Sequence, residues 1–344
     1  MSPQDLSGAH SRSAGPAARP KGAPVSARRE RGAALLLAML ILTLVATLAA
    51  GMAWQQTRAV QIEAAERASV QSSWILDAAL DWARLILRED ARTGSIDHLG
   101  EPWATPLAEA RLSSFLAADR DNNADGGPEA FISGAISDAQ AKYNLRNLVD
   151  GEGKISQLEL KALQRLCEAA GVPTDTPARL AQGLAAAWAA QNSGDAADAP
   201  LPPARVADLV WLGLDSATVA RLGAYVTLLP AQTPVNANTA PREVLVAAID
   251  GLDLGSAERL VQTRQRSPFD NLEAIEALLP QGTTKLDKSR VAVSSSYFEV
   301  RGRLRLEDRV VEQESLVQRR GADQGRDVVT LRRERHPLHM SPPQ

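Results

Sequence analysis

The chain has 344 residues, with 38 Lys and Arg against 41 Asp and Glu, so its charge balance gives no support for a nucleic-acid partner. The single cysteine, Cys167, excludes an intramolecular disulfide, and the length allows two or three domains. Aromatic residues make up only 4% of a chain rich in Ala and Leu, which predicts a largely helical soluble part.

Residues 1–32 form a basic segment with six Lys or Arg against Asp5 and Glu30, and mostly Pro, Gly, Ser and Ala between them. This composition predicts disorder. Because Lys and Arg beside a membrane span favour the cytoplasmic side, the segment also predicts a single-pass protein with a cytoplasmic N-terminus and an exported C-terminal bulk.

An uncharged run, Ala33–Trp54, follows directly, and its 22 residues rise about 33 Å as a helix, enough to cross a bilayer core. No Gly or Pro occurs in Gln55–Asp90, so residues 33–92 are predicted to hold one helix of about 58 residues. The alternative is a secretory signal cleaved near Leu48–Gly51. A signal peptide has a shorter apolar region and then a break, whereas the helical pattern here continues.

Residues 93–148 are predicted to begin a sheet, with a strand at Glu129–Ser137. In the segment YNLRNL, Asn144 and Asn147 are predicted to satisfy backbone groups in a tight turn at a strand end.

Residues 149–290 follow the helical period and are predicted as a helical insertion. Its candidate helices are Ser156–Ala170, Pro177–Gln191, Pro203–Leu212 and Ser216–Leu229. Thr239 is a candidate N-cap, with Pro241 at the first helical position.

Residues 291–320 switch to the period of a strand, and residues 321–344 are predicted as a loose tail. A two-residue turn after Leu306 predicts four pairs in which apolar and opposite-charge partners align. These pairs are Leu304 with Val311, Arg303 with Glu312, Arg301 with Glu314 and Phe298 with Val317. The predicted fold class is α+β, with a long N-terminal transmembrane helix and an antiparallel sheet interrupted by a large all-helical insertion.

The junction of Arg31 and Gly32 with the apolar run resembles the type IV prepilin-like proteins. The resemblance implies cleavage by a prepilin peptidase between Gly32 and Ala33, and N-methylation of Ala33. Such proteins usually carry Glu at the fifth mature position, which is Leu37 in this chain. Among the pseudopilins of type II secretion, the lack of that Glu marks the large minor subunit, protein K.

Further segments between Arg31 and about Arg320 resemble the same protein K family, namely HLGEPWATP, YNLRNL, VNANTAPREVL, QRSPF and YFEVRGRLRL. The resemblance implies a pilin-like sheet, an anchor in the cell inner membrane and a bulk in the periplasm. It further implies a cap at the tip of the periplasmic pseudopilus that helps to initiate its assembly for protein secretion. The implied partners are the minor pseudopilins I and J, the prepilin peptidase and the inner-membrane assembly platform.

Enzyme chemistry has little support in the sequence. His10 lies in the leader, and His336 and His339 lie in the tail. That leaves His98 in the folded region with no plausible triad or metal cluster around it.

The rival interpretation is a membrane-anchored helix-hairpin-helix protein that binds or takes up DNA, because residues 235–280 also resemble that SAM-like module. Such a module binds phosphate through backbone N–H groups of a Gly-rich hairpin. The hairpin here, Gly251–Gly255, has Asp250 and Asp253 where a phosphate would approach. We therefore predict that the fold is kept and that nucleic acid is not bound.

A pattern of oxygen ligands at alternate positions, typical of Ca²⁺ loops, is formed by Asp119, Asp121, Asn123 and Asp125. Counted from Asp121, position twelve is Ile132 rather than Glu, so a calcium loop and a solvated turn both stay open. Leu148–Glu159 has the opposite defect, with Leu in place of an acid at position one. The stretch that corresponds to the family's calcium site, Ala187–Asp198, has lost most of its acids.

Overall fold

A computed structural model of the chain describes residues 27–112, 129–193, 200–283, 285–306, 309–321 and 327–339. The chain divides into two units between Arg67 and Ala68. Helix α1 runs from Ala27 to Thr93, 67 residues, because neither Pro nor a turn sequence interrupts it. The prediction of one long helix is confirmed, and the helix extends beyond the predicted segment at both ends.

The antiparallel sheet of the second unit consists of β1 (Leu107–Arg111), β2 (Ala130–Asp138), β7 (Tyr297–Leu306), β8 (Arg309–Arg319) and β9 (Val328–His339). The strands lie in the order β1-β2-β7-β8-β9. β2 and β7 pair from Ala130 opposite Leu306 to Asp138 opposite Phe298. Since the helical block lies between these two strands in the sequence, the predicted interruption of the sheet is confirmed.

The predicted register of the last hairpin is confirmed at all four pairs. Two effects fix it together. Apolar side chains must share the buried face of the sheet, and a slip by one residue would turn them to the other face. On the opposite face, Arg301 pairs with Glu314 at 2.5 Å between Nη2 and Oε1.

The second half of α1 covers one face of the sheet. Leu76, Leu80 and Leu87 are buried there, and Phe298 packs with the latter two. Gly302 lies where α1 comes closest, since a Cβ atom at this position would be 3.3 Å from Cδ2 of Leu76. A larger side chain in place of Gly302 would therefore push against the helix.

The prediction of a loose tail is wrong for Val328–His339, which form β9 along the edge of β8. Backbone pairing does not depend on an apolar sequence, and two of the charged side chains of β9 have partners on α1. Arg333 and Arg335 both reach Asp77, at 2.8 and 2.7 Å. Val328, at the start of the strand, is buried in the same hydrophobic core as Leu80 and Leu87 of α1.

The helical block contains α2 (Gln157–Ala169), α3 (Thr176–Ser193), α4 (Ser216–Leu222), α5 (Arg242–Ala248), α6 (Leu254–Arg266) and α7 (Leu272–Glu276). A 3-10 helix covers Val206–Leu212, the later part of a predicted helix. Two parallel strand pairs tie the block together: β3 (Tyr143–Asn144) with β4 (Val226–Thr227), and β5 (Val235–Asn236) with β6 (Val291–Ala292).

Three boundaries predicted for this block need correction. The helix predicted to reach Leu229 ends at Leu222, because Val226 and Thr227 pair with β3 instead. The N-cap of α5 is Pro241 rather than Thr239, whose hydroxyl is used elsewhere. The core of the block begins at Tyr143, within the segment assigned to the sheet, since Tyr143 packs with the helices.

Candidate functional site

The first unit contains the predicted cleavage and anchor residues. In the described part of the chain, α1 is the one helix long and apolar enough to cross a membrane. Gly32, Ala33 and Leu37 all lie within it and are exposed. The structure thus places the three residues on one continuous apolar helix, as the sequence predicts, while cleavage itself stays a prediction.

Two threonines lie inside the apolar run without leaving a free donor. The hydroxyl of Thr43 donates to the carbonyl of Leu40, and that of Thr47 donates to the carbonyl of Leu44, each at 2.9 Å. Because an unsatisfied polar group costs several kcal/mol in hydrocarbon, about as much as a lost hydrogen bond there, these bonds make the run compatible with lipid.

The second half of α1 also carries an exposed apolar strip. It comprises Val70, Trp74, Trp82 and Leu85, all at least 49% exposed. At 100° per residue these side chains lie on the side of the helix opposite Leu76 and Leu80, which face the sheet. We call these four residues the α1 strip. Large exposed aromatics at helical spacing are typical of a surface that packs against another helix.

A buried polar junction joins the sheet to the helical block, and Asp138 at the end of β2 is its centre. Its carboxylate accepts hydrogen bonds from the hydroxyls of Ser295 and Thr239, both at 2.6 Å. The amide of Asn236 donates at 2.9 Å and the backbone N–H of Gln140 at 2.7 Å. Burial raises the pKa of Asp138, and these four donors counteract the rise by stabilising the charged form.

Arg319 at the end of β8 extends this junction to the loop that follows α1. Its Nη2 lies 2.6 and 2.5 Å from the two carboxylate oxygens of Asp97 and donates to the carbonyl of Ser295 at 2.8 Å. The backbone N–H of Ser295 donates to Asp97 at 2.7 Å. Ser295 therefore connects the carboxylates of Asp97 and Asp138.

Asp90 and Asp97 pair with this guanidinium, and a third carboxylate, Glu101, lies close to both of them. Oxygens of Asp90, Asp97 and Glu101 lie within 4.8 Å of one another, and Nη1 of Arg319 is 2.8 Å from Asp90. Burial, and secondarily the charge of Glu101, raises the pKa of Asp90 to about 6. Because Arg319 already supplies the positive charge between them, the arrangement is an ion-pair network that fixes the end of α1.

The interpretation of YNLRNL as a turn held by asparagines is confirmed. Asn144 accepts from the backbone N–H of Arg146 and donates to the carbonyl of Ala231 at 2.7 Å. Asn147 exchanges two hydrogen bonds with the backbone of Thr233, at 2.8 and 3.0 Å. Both side chains thereby attach the turn to the segment that follows β4.

The candidate calcium loop, at Asp119, Asp121, Asn123 and Asp125, lies outside the described residues, so a calcium loop and a solvated turn both stay open there. In the second segment, Leu148–Glu159, the carboxylate at position twelve already has partners. Glu159 accepts from Nε of Arg290 at 2.7 Å and from the hydroxyl of Tyr143 at 2.8 Å. This carboxylate serves the core of the helical block.

In the hairpin Gly251–Gly255, carboxylates occupy the position that a phosphate would take. Asp253 is the N-cap of α6 and accepts from the backbone N–H of Ser256 at 2.9 Å. Asp250 forms an ion pair with Arg165 of α2. The N–H group that could bind a phosphate there therefore already has an acidic partner.

We accordingly predict no salt-dependent association of the chain with duplex DNA, because the hairpin presents two carboxylates to the phosphate backbone. Fluorescence anisotropy of a labelled duplex, titrated with the purified chain in detergent over a range of salt concentrations, would measure this. Submicromolar binding at physiological salt would instead support the DNA-uptake interpretation.

Comparison with known proteins gives a consistent result across most of the chain. Two family profiles described as Type II secretion system (T2SS), protein K match residues 141–231 and 235–294. A type II secretion system protein K of Pseudomonas aeruginosa is 31% identical over 307 residues, which cover 82% of this chain and 86% of that protein. The chain belongs to the type II secretion system protein K family.

More distant relatives agree. The protein K of Pectobacterium carotovorum is 28% identical over 84% of this chain and 92% of that protein. One chain in the crystal structure of the GspK-GspI-GspJ complex from the type 2 secretion system of enterotoxigenic Escherichia coli superimposes with a TM-score of 0.54 at 17% identity. The superposition covers 79% of this chain and 98% of that one. The superposition supports the fold, in which helices and an antiparallel sheet follow a long apolar helix in the sequence.

Sequence reasoning missed the ion-pair network. Asp90, Asp97 and Arg319 carry no motif, and Arg319 lies 222 residues from Asp97. Asn236 lies in the recognised segment VNANTAPREVL, but nothing in that segment indicates that it meets Asp138. The long separation in sequence between Asp97 and Arg319 left no local signal that could have found the pair.

Proposed function

We propose that the chain is a minor pseudopilin that caps the tip of the periplasmic pseudopilus and helps to initiate its assembly for protein secretion. It is anchored by one span in the inner membrane, with its bulk in the periplasm. The observation that carries this proposal is Leu37 at the fifth position after Gly32, in a chain of the protein K family. The role is structural, with no catalytic step.

The residue at this position matters because of the filament core. In ordinary pilin subunits the Glu there neutralises the amino group of a neighbouring subunit, and an unpaired charge buried in such an apolar core is costly. Leu37 offers no carboxylate to a subunit beyond it. The last subunit of a filament has no such neighbour, so this sequence fits the terminal position. The large helical block inserted between β2 and β7 is also hard to accommodate within a repeating stack.

The proposed partners are the minor pseudopilins I and J, since the structurally similar chain comes from a GspK-GspI-GspJ complex. The α1 strip suits this role because Trp74 and Trp82 offer a wide apolar surface for the helices of neighbouring subunits. The prepilin peptidase would act at Gly32, and the inner-membrane assembly platform would receive the processed helix.

We predict a mature N-terminus at Ala33. Intact mass and N-terminal sequencing of membrane-extracted protein would measure it. Gly32→Val should block processing and Gly51→Val should leave it unchanged. A Cβ atom added at either glycine would have no neighbouring atom within 4 Å, so neither substitution disturbs packing.

Leu37→Glu should still be cut after Gly32, since the cleavage signal lies on the other side of the junction. A mature start near Gly51 or Ala53 would establish a secretory signal and contradict the proposed function.

We predict one copy per pseudopilus, at its periplasmic tip, because Leu37 gives a following subunit no carboxylate to pair with. Immunogold labelling of pseudopili, or cryo-electron tomography with a tagged chain, would locate the subunit. Label distributed along the shaft would contradict the terminal position.

A further inference from the structure

Trp54 is the C-terminal residue of the uncharged run Ala33–Trp54 in the first unit. Its side chain is 65% exposed, and the guanidinium of Arg58, one turn later, lies 5.6 Å from the centre of its ring. Among the described residues, no acceptor lies within hydrogen-bonding distance of the indole N–H. The pair therefore presents an apolar ring, a free N–H donor and a positive charge on one part of the helix surface.

Arg58 differs from the next arginine along the helix. Arg67 forms an ion pair with Glu63 at 2.5 Å, whereas no carboxylate in the described part of the chain pairs with Arg58. Arg58 is also the first charged residue after the apolar run. An unpaired guanidinium at this place can bind a phosphate in two-point geometry.

The length of the run places this pair at a bilayer surface. Ala33–Trp54 spans about 33 Å as a helix, and the hydrocarbon core of a bilayer is about 30 Å thick. With Ala33 at the cytoplasmic surface, Trp54 comes just beyond the hydrocarbon on the other side. Trp is enriched at that depth because its ring is apolar and its N–H is polar.

From these observations we propose that Trp54 and Arg58 form an interfacial anchor on the periplasmic leaflet. The indole lies among the lipid carbonyl groups, and the guanidinium of Arg58 binds the headgroup phosphate of an anionic phospholipid. This inference rests on the proposed membrane span. Beyond the span, it gives the depth at which the helix lies in the bilayer and the lipid phosphate that holds the helix at that depth. Leaving the bilayer for the filament would require this anchor to be released.

The depth of Trp54 can be tested with the full chain reconstituted into vesicles that contain phosphatidylglycerol and a lipid brominated near its carbonyl end. Bromine quenches only tryptophans at that depth. We expect Trp54→Phe to remove at least about half of the quenching seen in the unmodified chain. Trp74→Phe is the matched control, since Trp74 is at least as exposed as Trp54 but belongs to the second unit, and it should leave the quenching unchanged.

The role of Arg58 is tested by replacing phosphatidylglycerol with phosphatidylcholine. The centre of Trp emission should shift to longer wavelength on removal of the anionic lipid, and Arg58→Gln should abolish that lipid dependence. Arg58→Lys should keep most of it, because the positive charge stays, and Arg67→Gln should keep all of it.

The outcomes separate this inference from the proposed function. If the unmodified chain does not float with the vesicles in a density gradient, the proposed membrane span is wrong, and so is the proposed anchor. If the chain floats but Trp54→Phe is quenched as much as the unmodified chain, the interfacial position of Trp54 is wrong and the span stands. Equal lipid dependence in Arg58→Gln and Arg67→Gln overturns the phosphate contact.

Discussion

Replacing Asp138 with alanine is expected to lower the free energy of unfolding by about 3–5 kcal/mol, the range for removing one partner from a buried charged network. The substitution removes the acceptor of the Ser295 and Thr239 hydroxyls, and one of the acceptors of the Asn236 amide, in a buried junction. All three side chains are buried, so solvent cannot replace the lost carboxylate.

Urea unfolding of the detergent-solubilised chain, followed by circular dichroism, would measure the loss. Asp253→Ala is the matched control, because this aspartate also accepts hydrogen bonds from a backbone N–H and a hydroxyl, but at an exposed helix N-terminus. Loss of that cap should cost about 1 kcal/mol. Equal losses in the two variants would show that the buried junction contributes no more than an ordinary cap.

Asp138→Asn gives a second measure of the same contacts. One carboxylate oxygen accepts from the N–H of Gln140 and the other from Ser295, Thr239 and Asn236. The Asn side chain has one oxygen and one NH2 group, so in either orientation its NH2 group faces hydrogen-bond donors instead of acceptors. We therefore expect Asp138→Asn to lose stability too, although the side chain keeps its size. Unchanged stability would imply that the carboxyl of Asp138 is protonated in the folded chain.

The elements that the sequence predicted well are those specified by neighbouring residues. The extent of α1 follows from an uninterrupted helical pattern, and the pairing of β7 with β8 follows from a short turn and matching side chains. Gly302 leaves room on β7 for Leu76 of α1, and the sequence could not show that these two residues meet. Local rules give the register of a hairpin, whereas the helix that covers it is a matter of tertiary packing.

The failures have a common physical cause. β9 was missed because its middle, Arg332–Arg335, is a run of charged residues, and the strand depends on pairing with β8 and on Asp77 of α1. The end of α4 was missed because the strand that replaces it is only two residues long and needs Tyr143 as a partner. In each case a distant segment decides the local structure, and one sequence contains no record of that contact.

The ion-pair network around Arg319 should make stability depend on pH in a definite direction. The pKa of Asp90 is raised from 3.8 to about 6 in the folded chain, chiefly by burial. Between these values the folded chain holds a proton that the unfolded chain has released, so stability decreases as pH rises through this window. Asp90→Asn should remove that decrease, worth about 1–2 kcal/mol, because an amide does not titrate.

Arg319→Met is expected to cost about 3–5 kcal/mol near neutral pH, since it leaves Asp90 and Asp97 without their cation and close to the carboxylate of Glu101. Acidification to about pH 4 should recover part of the loss, because protonating a carboxyl relieves the repulsion among the three. Urea unfolding at several pH values would measure both effects. In the double variant Asp90→Asn with Arg319→Met, one charge is gone and the neutral-pH loss should shrink.

Arg301→Met provides the matched control for this series. Arg301 also contacts two carboxylates, Glu312 and Glu314, but its side chain is 62% exposed and water screens the charges. An exposed ion pair contributes about 0–1 kcal/mol, so this variant should unfold almost as the unmodified chain does. Acid should restore nothing, because no buried carboxylate is left unpaired. Arg319→Met could also lose no more stability than Arg301→Met. That result would mean that water solvates the three carboxylates well enough to offset their repulsion. The ion-pair network would then not be what holds the end of α1 to β8.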